Sequence, residues 1–150
     1  MDKEKYNIAI VGATGLVGSL FIKLLIEYHI PVHILKLFAS KKSRGKRIKY
    51  LDQSIEVEEL NEHSFENMDF ALFSAGTEVS KKYCVLAEKS GAIVIDNSSF
   101  FRMQNDIPLI IPEINFDVFA HSKRKIISNP NCSTIQAVRV LFYIKKLYEN

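Results

Sequence analysis

In Tyr6-Asn7-Ile8-Ala9-Ile10-Val11-Gly12-Ala13-Thr14-Gly15-Leu16-Val17-Gly18, a short apolar run meets glycines at every third position. The run from Tyr6 to Val11 carries β-branched residues and little alternation, which suits a parallel strand buried on both faces. Ser19 to Tyr28 then reads as an amphipathic helix, with Leu20, Leu24 and Leu25 expected to point inward. Strand, glycine turn and helix in that order are the context of a dinucleotide-binding turn. Gly12 and Gly15 permit a tight turn and close approach to the backbone, and Gly18 lets the helix pack on the strand. The helix N-terminus then faces a pyrophosphate. The expected cofactor contacts here are Gly12, Thr14, Gly15, Leu16, Val17 and Gly18. The spacing is G-x-x-G-x-x-G rather than the commoner G-x-G-x-x-G, and a glycine turn without a ligand is the alternative.

Outward from this unit, Val32 to Ala39 reads as a second strand. A site that prefers NAD usually ends this strand with an acid for the ribose 2′-hydroxyl. No acid stands there. The chain continues Ser40-Lys41-Lys42-Ser43-Arg44-Gly45-Lys46-Arg47, and hydroxyls and cations at that corner suit a 2′-phosphate. NADP is therefore the expected cofactor, with Ser40, Lys42, Ser43 and Arg44 as candidate contacts. A solvated basic loop is the alternative.

Further strands follow at Ile55–Leu60, Asp69–Ser74 and Ala92–Asp96. Between the first two, residues 61–67 form a polar connection with room for a helical turn. Ser74, Ala75 and Gly76 lie at a strand end, where open α/β sheets bind ligands. Glu78 to Ser90 reads as a helix with Val79, Tyr83, Leu86 and Ala87 inward, closed by Gly91. Cys84 lies mid-helix and reads as structural. Arg102, in the loop after the strand ending at Asp96, is suited to a phosphate or carboxylate. Residues 108–115 read as a proline-bounded extended segment, 116–120 as one helical turn, and 125–128 as a last strand. The class is α/β: a mostly parallel, doubly wound sheet with helices on both faces.

That last strand delivers Asn129-Pro130-Asn131-Cys132-Ser133-Thr134. Pro130 restrains Asn129 to an extended conformation, and from Thr134 the sequence is helix-compatible. Ile135, Val138, Leu141 and Phe142 share a face. Either Asn131 or Ser133 can cap this helix. Cys132 falls among its first unpaired N–H groups, where the helix dipole favours the thiolate, the nucleophilic form.

A formal charge of +3 over 150 residues is too small to argue for nucleic acid, and the basic residues are not interleaved with aromatics. No apolar run reaches membrane-spanning length. The polar start, Met1 to Lys5, has no signal-peptide pattern. Two cysteines make no disulfide framework, so a reducing cytoplasm is expected. The histidines have no metal-ligand spacing, and no metal is expected.

Several segments together resemble bacterial aspartate-β-semialdehyde dehydrogenase, in its N-terminal part. They are Val-Gly-Ala-Thr-Gly-Leu-Val-Gly (11–18), Phe-Ala-Ser-Lys-Lys-Ser-Arg-Gly-Lys (38–46), Leu-Phe-Ser-Ala-Gly (72–76), Val-Ile-Asp-Asn-Ser-Ser-Phe-Phe-Arg-Met (94–103), Pro-Glu-Ile-Asn (112–115) and Asn-Pro-Asn-Cys-Ser-Thr-Ile-Gln (129–136). The resemblance implies a Rossmann-type NADP domain, Cys132 as catalytic nucleophile, and Arg102 and Asn131 as ligands of the substrate phosphate. It implies interconversion of L-aspartate 4-semialdehyde, phosphate and NADP⁺ with 4-phospho-L-aspartate and NADPH, and a homodimer for the complete enzyme. The family often has Arg where this chain has Lys42, which leaves open which of Lys42, Ser43 and Arg44 meets the 2′-phosphate.

Enzymes of the family are more than twice as long, so a second, catalytic and dimerisation domain is expected outside these residues. It would carry an acid/base histidine, an orienting glutamine and carboxylate-binding cations. The chain alone is expected to be inactive. The competing readings are a non-catalytic NADP-binding module and N-acetyl-γ-glutamyl-phosphate reductase. The latter usually has Asn-Pro-Gly-Cys-Tyr-Pro where this chain has Asn-Pro-Asn-Cys-Ser-Thr. A redox sensor built on Cys132 ranks last, because no resolving cysteine is paired with it.

Overall fold

The computed structural model describes residues 4–148; Met1 to Lys3, part of the polar start, lie outside the described residues. Tyr6–Val11 forms β1 and Leu16–Glu27 forms α1. Next come β2 (Val32–Ala39), a 3-10 turn at Lys41–Ser43, β3 (Arg47–Tyr50), β4 (Gln53–Glu59) and β5 (Phe70–Phe73). They are followed by α2 (Thr77–Lys89), β6 (Ile93–Asp96), α3 (Pro112–Asn115), α4 (Asp117–Ala120), β7 (Ile126–Ser128) and α5 (Cys132–Tyr148). The seven strands form one sheet in the order β3-β4-β2-β1-β5-β6-β7. All neighbouring pairs are parallel except β3 with β4.

Alternation along β1 divides the core. Ile8 and Ile10 pack with Ile22 and Leu25 of α1 on one face, while Ala9 and Val11 pack with Cys84 and Ala87 of α2 on the other. Helices thus cover both faces, as a doubly wound sheet requires. The strand order reverses at β1, which has β2 on one side and β5 on the other. A crevice at the carboxyl ends of the strands opens at such a reversal.

Several local expectations are corrected. The helix after the glycine turn starts at Leu16 rather than Ser19, and its inward line is Gly18, Ile22 and Leu25. Leu20 and Leu24, expected inward, are 45% and 40% exposed. Gly18 sets this rotation, because a Cβ there would collide with the Gly12 carbonyl oxygen. The glycine face therefore lies against the turn, and the residues four and seven positions on follow it inward. Residues 61–67 form turns without a helix, yet they drop Phe65 into the core, with ring centroids 6.0 Å from Phe38 and 5.6 Å from Phe73.

Pro112–Asn115 is a helical turn rather than extended chain. Proline is tolerated at a helix start, and Asn115 holds the turn by accepting from the Ile111 N–H at 2.8 Å and donating to the Leu109 carbonyl at 3.0 Å. The tail of the basic run is also ordered. Arg47 begins β3 and donates to Ser54 Oγ and to its carbonyl.

In α5, which begins at Cys132, no residue is fully buried. Ile135, Val138 and Phe142 are half-buried, whereas Leu141, expected on the same face, is 62% exposed. Arg139 of this helix pairs with Glu113 of α3 at 2.9 Å. Among the described residues no helix is long and apolar enough to cross a membrane.

Candidate functional site

The helices α1, α2 and α5 all begin at the carboxyl edge of the parallel strands, at Leu16, Thr77 and Cys132. The first is reached by a turn that the sheet holds tightly. The N–H groups of Gly12 and Ala13 both donate to the Phe38 carbonyl, at 2.8 and 3.0 Å, and Gly15 N–H closes on the Gly12 carbonyl at 3.0 Å. Gly12 has φ +89°, and a Cβ there would strike the carbonyl of Ser74. Only glycine lets this turn close against the end of β5. Gly15 precedes α1 in an extended conformation and gives no side-chain cap, so the first amides of Leu16, Val17 and Gly18 have no side-chain acceptor there.

Between this turn and the β2 and β5 ends lies a cavity of about 280 Å³, lined by Gly12, Thr14, Gly15, Ser40, Ser74 and Ala75, with Leu60 and Val79 as apolar walls. Backbone amides, small residues and two apolar walls at a strand-order reversal fit a dinucleotide. Sequence reasoning did not include Leu60 or Val79 among the contacts. They reach the cavity because β4 lies beside β2 and α2 begins just after Gly76.

The basic corner divides into three environments. Ser43 is buried, and its Oγ accepts from Thr14 Oγ1 at 3.3 Å, linking the corner to the glycine turn. Arg44 is exposed and stands 3.8 Å from Glu59 at the end of β4. Lys42 is exposed on the 3-10 turn. Ala39 is in register with Glu59, so an acid does reach this corner, from the neighbouring strand rather than from the end of β2.

The cysteine turn is built from β6 and β7. Asn129 N–H donates to the Asp96 carbonyl at 2.8 Å, and Asn129 Nδ2 donates to Asn97 Oδ1 at 2.8 Å. Arg102 spans the two loops: Nε donates to the Asn129 carbonyl at 3.0 Å and Nη2 to the Asn97 carbonyl at 3.1 Å. Pro130 is buried. Of the two candidate caps, Asn131 is the one used, its Oδ1 accepting from Ser133 N–H at 2.9 Å. Cys132 is the first residue of α5 and is exposed, with Sγ 3.8 Å from Asn131 Oδ1. Arg102, Asn131 and Cys132 are thus brought into one neighbourhood by residues 97 and 129, which sequence reasoning did not single out.

Cys84 is wholly buried. Burial, and secondarily the Asp96 carboxylate, push its thiol well above the ordinary range. Among the described residues no group of three or more His, Cys, Asp or Glu side chains is gathered as metal ligands would be.

Residues 7–122 match the family described as semialdehyde dehydrogenase, NAD binding domain. The chain is 49% identical to the aspartate-semialdehyde dehydrogenase of Aquifex aeolicus (strain VF5) over 96% of its own length and 42% of that protein. Its fold is similar to a crystal structure of aspartate semialdehyde dehydrogenase II from Vibrio cholerae complexed with ASA, at TM-score 0.85 and 44% identity, covering 89% of this chain and 44% of that one. It is also similar to the aspartate semialdehyde dehydrogenase with NADP from Candida albicans, at TM-score 0.73 and 27% identity, covering 87% of this chain and 44% of that one. The chain spans about two-fifths of the length of the curated relatives it matches.

Proposed function

The chain belongs to the semialdehyde dehydrogenase family, in its NAD-binding domain, and on that premise we propose that it is the cofactor- and nucleophile-bearing part of a cytoplasmic aspartate-semialdehyde dehydrogenase. The reaction is the interconversion of L-aspartate 4-semialdehyde, phosphate and NADP⁺ with 4-phospho-L-aspartate and NADPH, in biosynthesis of lysine, methionine and threonine. The observation that carries this reading is an exposed cysteine opening a helix capped by Asn131, at the same sheet edge as the glycine turn. The likeness to relatives of that name over nearly the whole chain supports it.

The first amides of α1 would hold the pyrophosphate, and the Ser40–Arg44 corner the 2′-phosphate. When bound, NADP⁺ supplies the acceptor for a hydride. In the oxidative direction the Cys132 thiolate attacks the aldehyde carbon. A C–S bond forms as the carbonyl electron pair moves onto oxygen, giving a thiohemiacetal in its alkoxide form. Loss of hydride from that carbon, as the electron pair on oxygen re-forms the C=O bond, leaves a thioester. A phosphate oxygen then attacks the thioester carbon, the C–S bond breaks, and Cys132 departs as thiolate. Arg102 would hold that phosphate through Nη1, which neither of its two carbonyl bonds uses.

The test measures phosphate-dependent reduction of NADP⁺ by aspartate semialdehyde, in a polypeptide that joins this chain to the remainder its relatives carry. Cys132→Ser should abolish turnover and leave NADP⁺ binding intact, and the 150-residue chain alone should bind NADP⁺ without turning over, because nucleophile and proton-transfer groups act as a unit. Turnover that survives Cys132→Ser would end this reading.

A further inference from the structure

We propose that Asp96 is a positioning residue: its buried carboxylate fixes the origin of the Arg102 loop against α2, while its backbone fixes the same point to the cysteine turn. This rests on the phosphate-dependent reaction proposed above.

Asp96 is the last residue of β6 and has no exposed surface. A carboxylate placed there is costly unless its oxygens are bonded, and each is. Ser98 N–H donates to Oδ1 at 3.0 Å, Ser98 Oγ to Oδ2 at 2.6 Å, and Ser80 Oγ to Oδ1 at 2.7 Å. Ser98 Oγ passes the constraint on by accepting from Phe100 N–H at 3.2 Å. Ser128, in register beside Asp96 on β7, has a buried hydroxyl that takes no part in this network. The carboxylate is thus directed to the loop and to α2 rather than across the sheet.

Three features of the site meet at this residue. Ser80 lies in the first turn of α2, directly after the Ser74–Gly76 segment, and its N–H donates to the Gly76 carbonyl at 3.1 Å. Ser98 begins the loop that ends at Arg102. The Asp96 carbonyl accepts from Asn129 N–H at 2.8 Å, and Arg102 in turn grips the carbonyls of Asn97 and Asn129. A fold that needed only packing here could use an apolar side chain, as Val94 does two residues earlier on the same strand face. A bonded carboxylate instead imposes direction on the loop.

The test is Asp96→Asn in the complete enzyme. The substitution preserves volume but replaces one acceptor oxygen with a donor. A small displacement of Arg102 should raise the Michaelis constant for phosphate by roughly tenfold or more, with the NADP⁺ constant within about twofold. Ser98→Ala, which removes only the hydroxyl bonds, should shift the same constant in the same direction and carries the test if the Asn variant does not fold. A variant that loses thermal stability but keeps the wild-type phosphate constant would make Asp96 merely structural and overturn the inference. A wild-type enzyme whose turnover ignores phosphate would overturn the proposed function itself, and this inference with it.

Discussion

Arg102 Nε donates to the carbonyl oxygen of Asn129 across 3.0 Å, so the arginine of one loop is fastened three residues before the cysteine of another. The partner is a backbone atom, and the loop that carries Cys132 therefore cannot move independently of the loop that carries Arg102. The guanidinium also takes the Asn97 carbonyl at 3.1 Å. A planar fork can bridge two such acceptors at once; an ammonium cannot do so with the same geometry.

Arg102→Lys should therefore disturb both the binding of phosphate and the setting of the cysteine turn. In the complete enzyme the phosphate Michaelis constant should rise by roughly tenfold or more, as expected for a lost charge-assisted bond, while the NADP⁺ constant changes by less than about twofold. Steady-state kinetics with each substrate varied separately would check this. An unchanged phosphate constant would leave Arg102 only its structural bridge.

The two thiols should differ sharply in reactivity. Cys132 is exposed at the start of α5, whereas Cys84 is buried and its thiol is held protonated by desolvation and the neighbouring Asp96 carboxylate. Brief iodoacetamide treatment near neutral pH, followed by peptide mapping, should find the label on Cys132. Preferential labelling of Cys84 would contradict the assignment.

NADP should bind more tightly than NAD, because the corner after β2 offers Lys42 and Arg44. Replacing both with Ala should weaken NADP by roughly tenfold or more and NAD by less than about twofold. Glu59 competes for Arg44 at 3.8 Å. Glu59→Gln should tighten NADP by no more than about fivefold, since an exposed pair contributes at most ~1 kcal/mol. Titration of both cofactors by calorimetry gives all these values, and equal NAD affinity in the wild type would remove the preference.

Glu88 makes stability depend on acid. Burial alone would raise its carboxyl, but hydrogen bonds from Arg124 and from Lys125 N–H outweigh burial and hold it below the ordinary value. A carboxyl lowered on folding contributes stability that is present above its unfolded value of roughly 4.3 and is lost as pH falls through the folded value. Glu88→Gln should cost about 2 kcal/mol at neutral pH and flatten the acid limb of the stability curve. Urea unfolding at neutral and acid pH would measure both, and a variant with the wild-type acid slope would exclude Glu88 as the source.

Much of the fold was legible in the order of short signals. Strand, glycine turn and helix are local: the apolar run, φ > 0 at Gly12 and the helical period each act within a few residues. The helix start at Cys132 was readable for the same reason, since Pro130 and a capping Asn131 act on adjacent backbone. Even the rotation of α1 had a signal in Gly18, which outranks the leucines because only its face can lie against the turn. Arg47–Tyr50 was harder to read as a strand, because its pairing with β4 is set by partners across a hairpin rather than by its own basic composition.

What the sequence alone determined is that a turn hands over to a helix after Gly12, after Ser74 and at Cys132, because turns and caps are written in neighbouring residues. Only the tertiary structure decided which side chains meet there. Asp96 finds Ser80 16 residues away, Thr14 finds Ser43 29 away, and Arg102 finds Asn129 27 away. Those meetings depend on the strand order and on parallel registers such as Asp96 with Ser128. Strand order is set by the burial of both sheet faces together, a sum over the whole core that no local stretch contains.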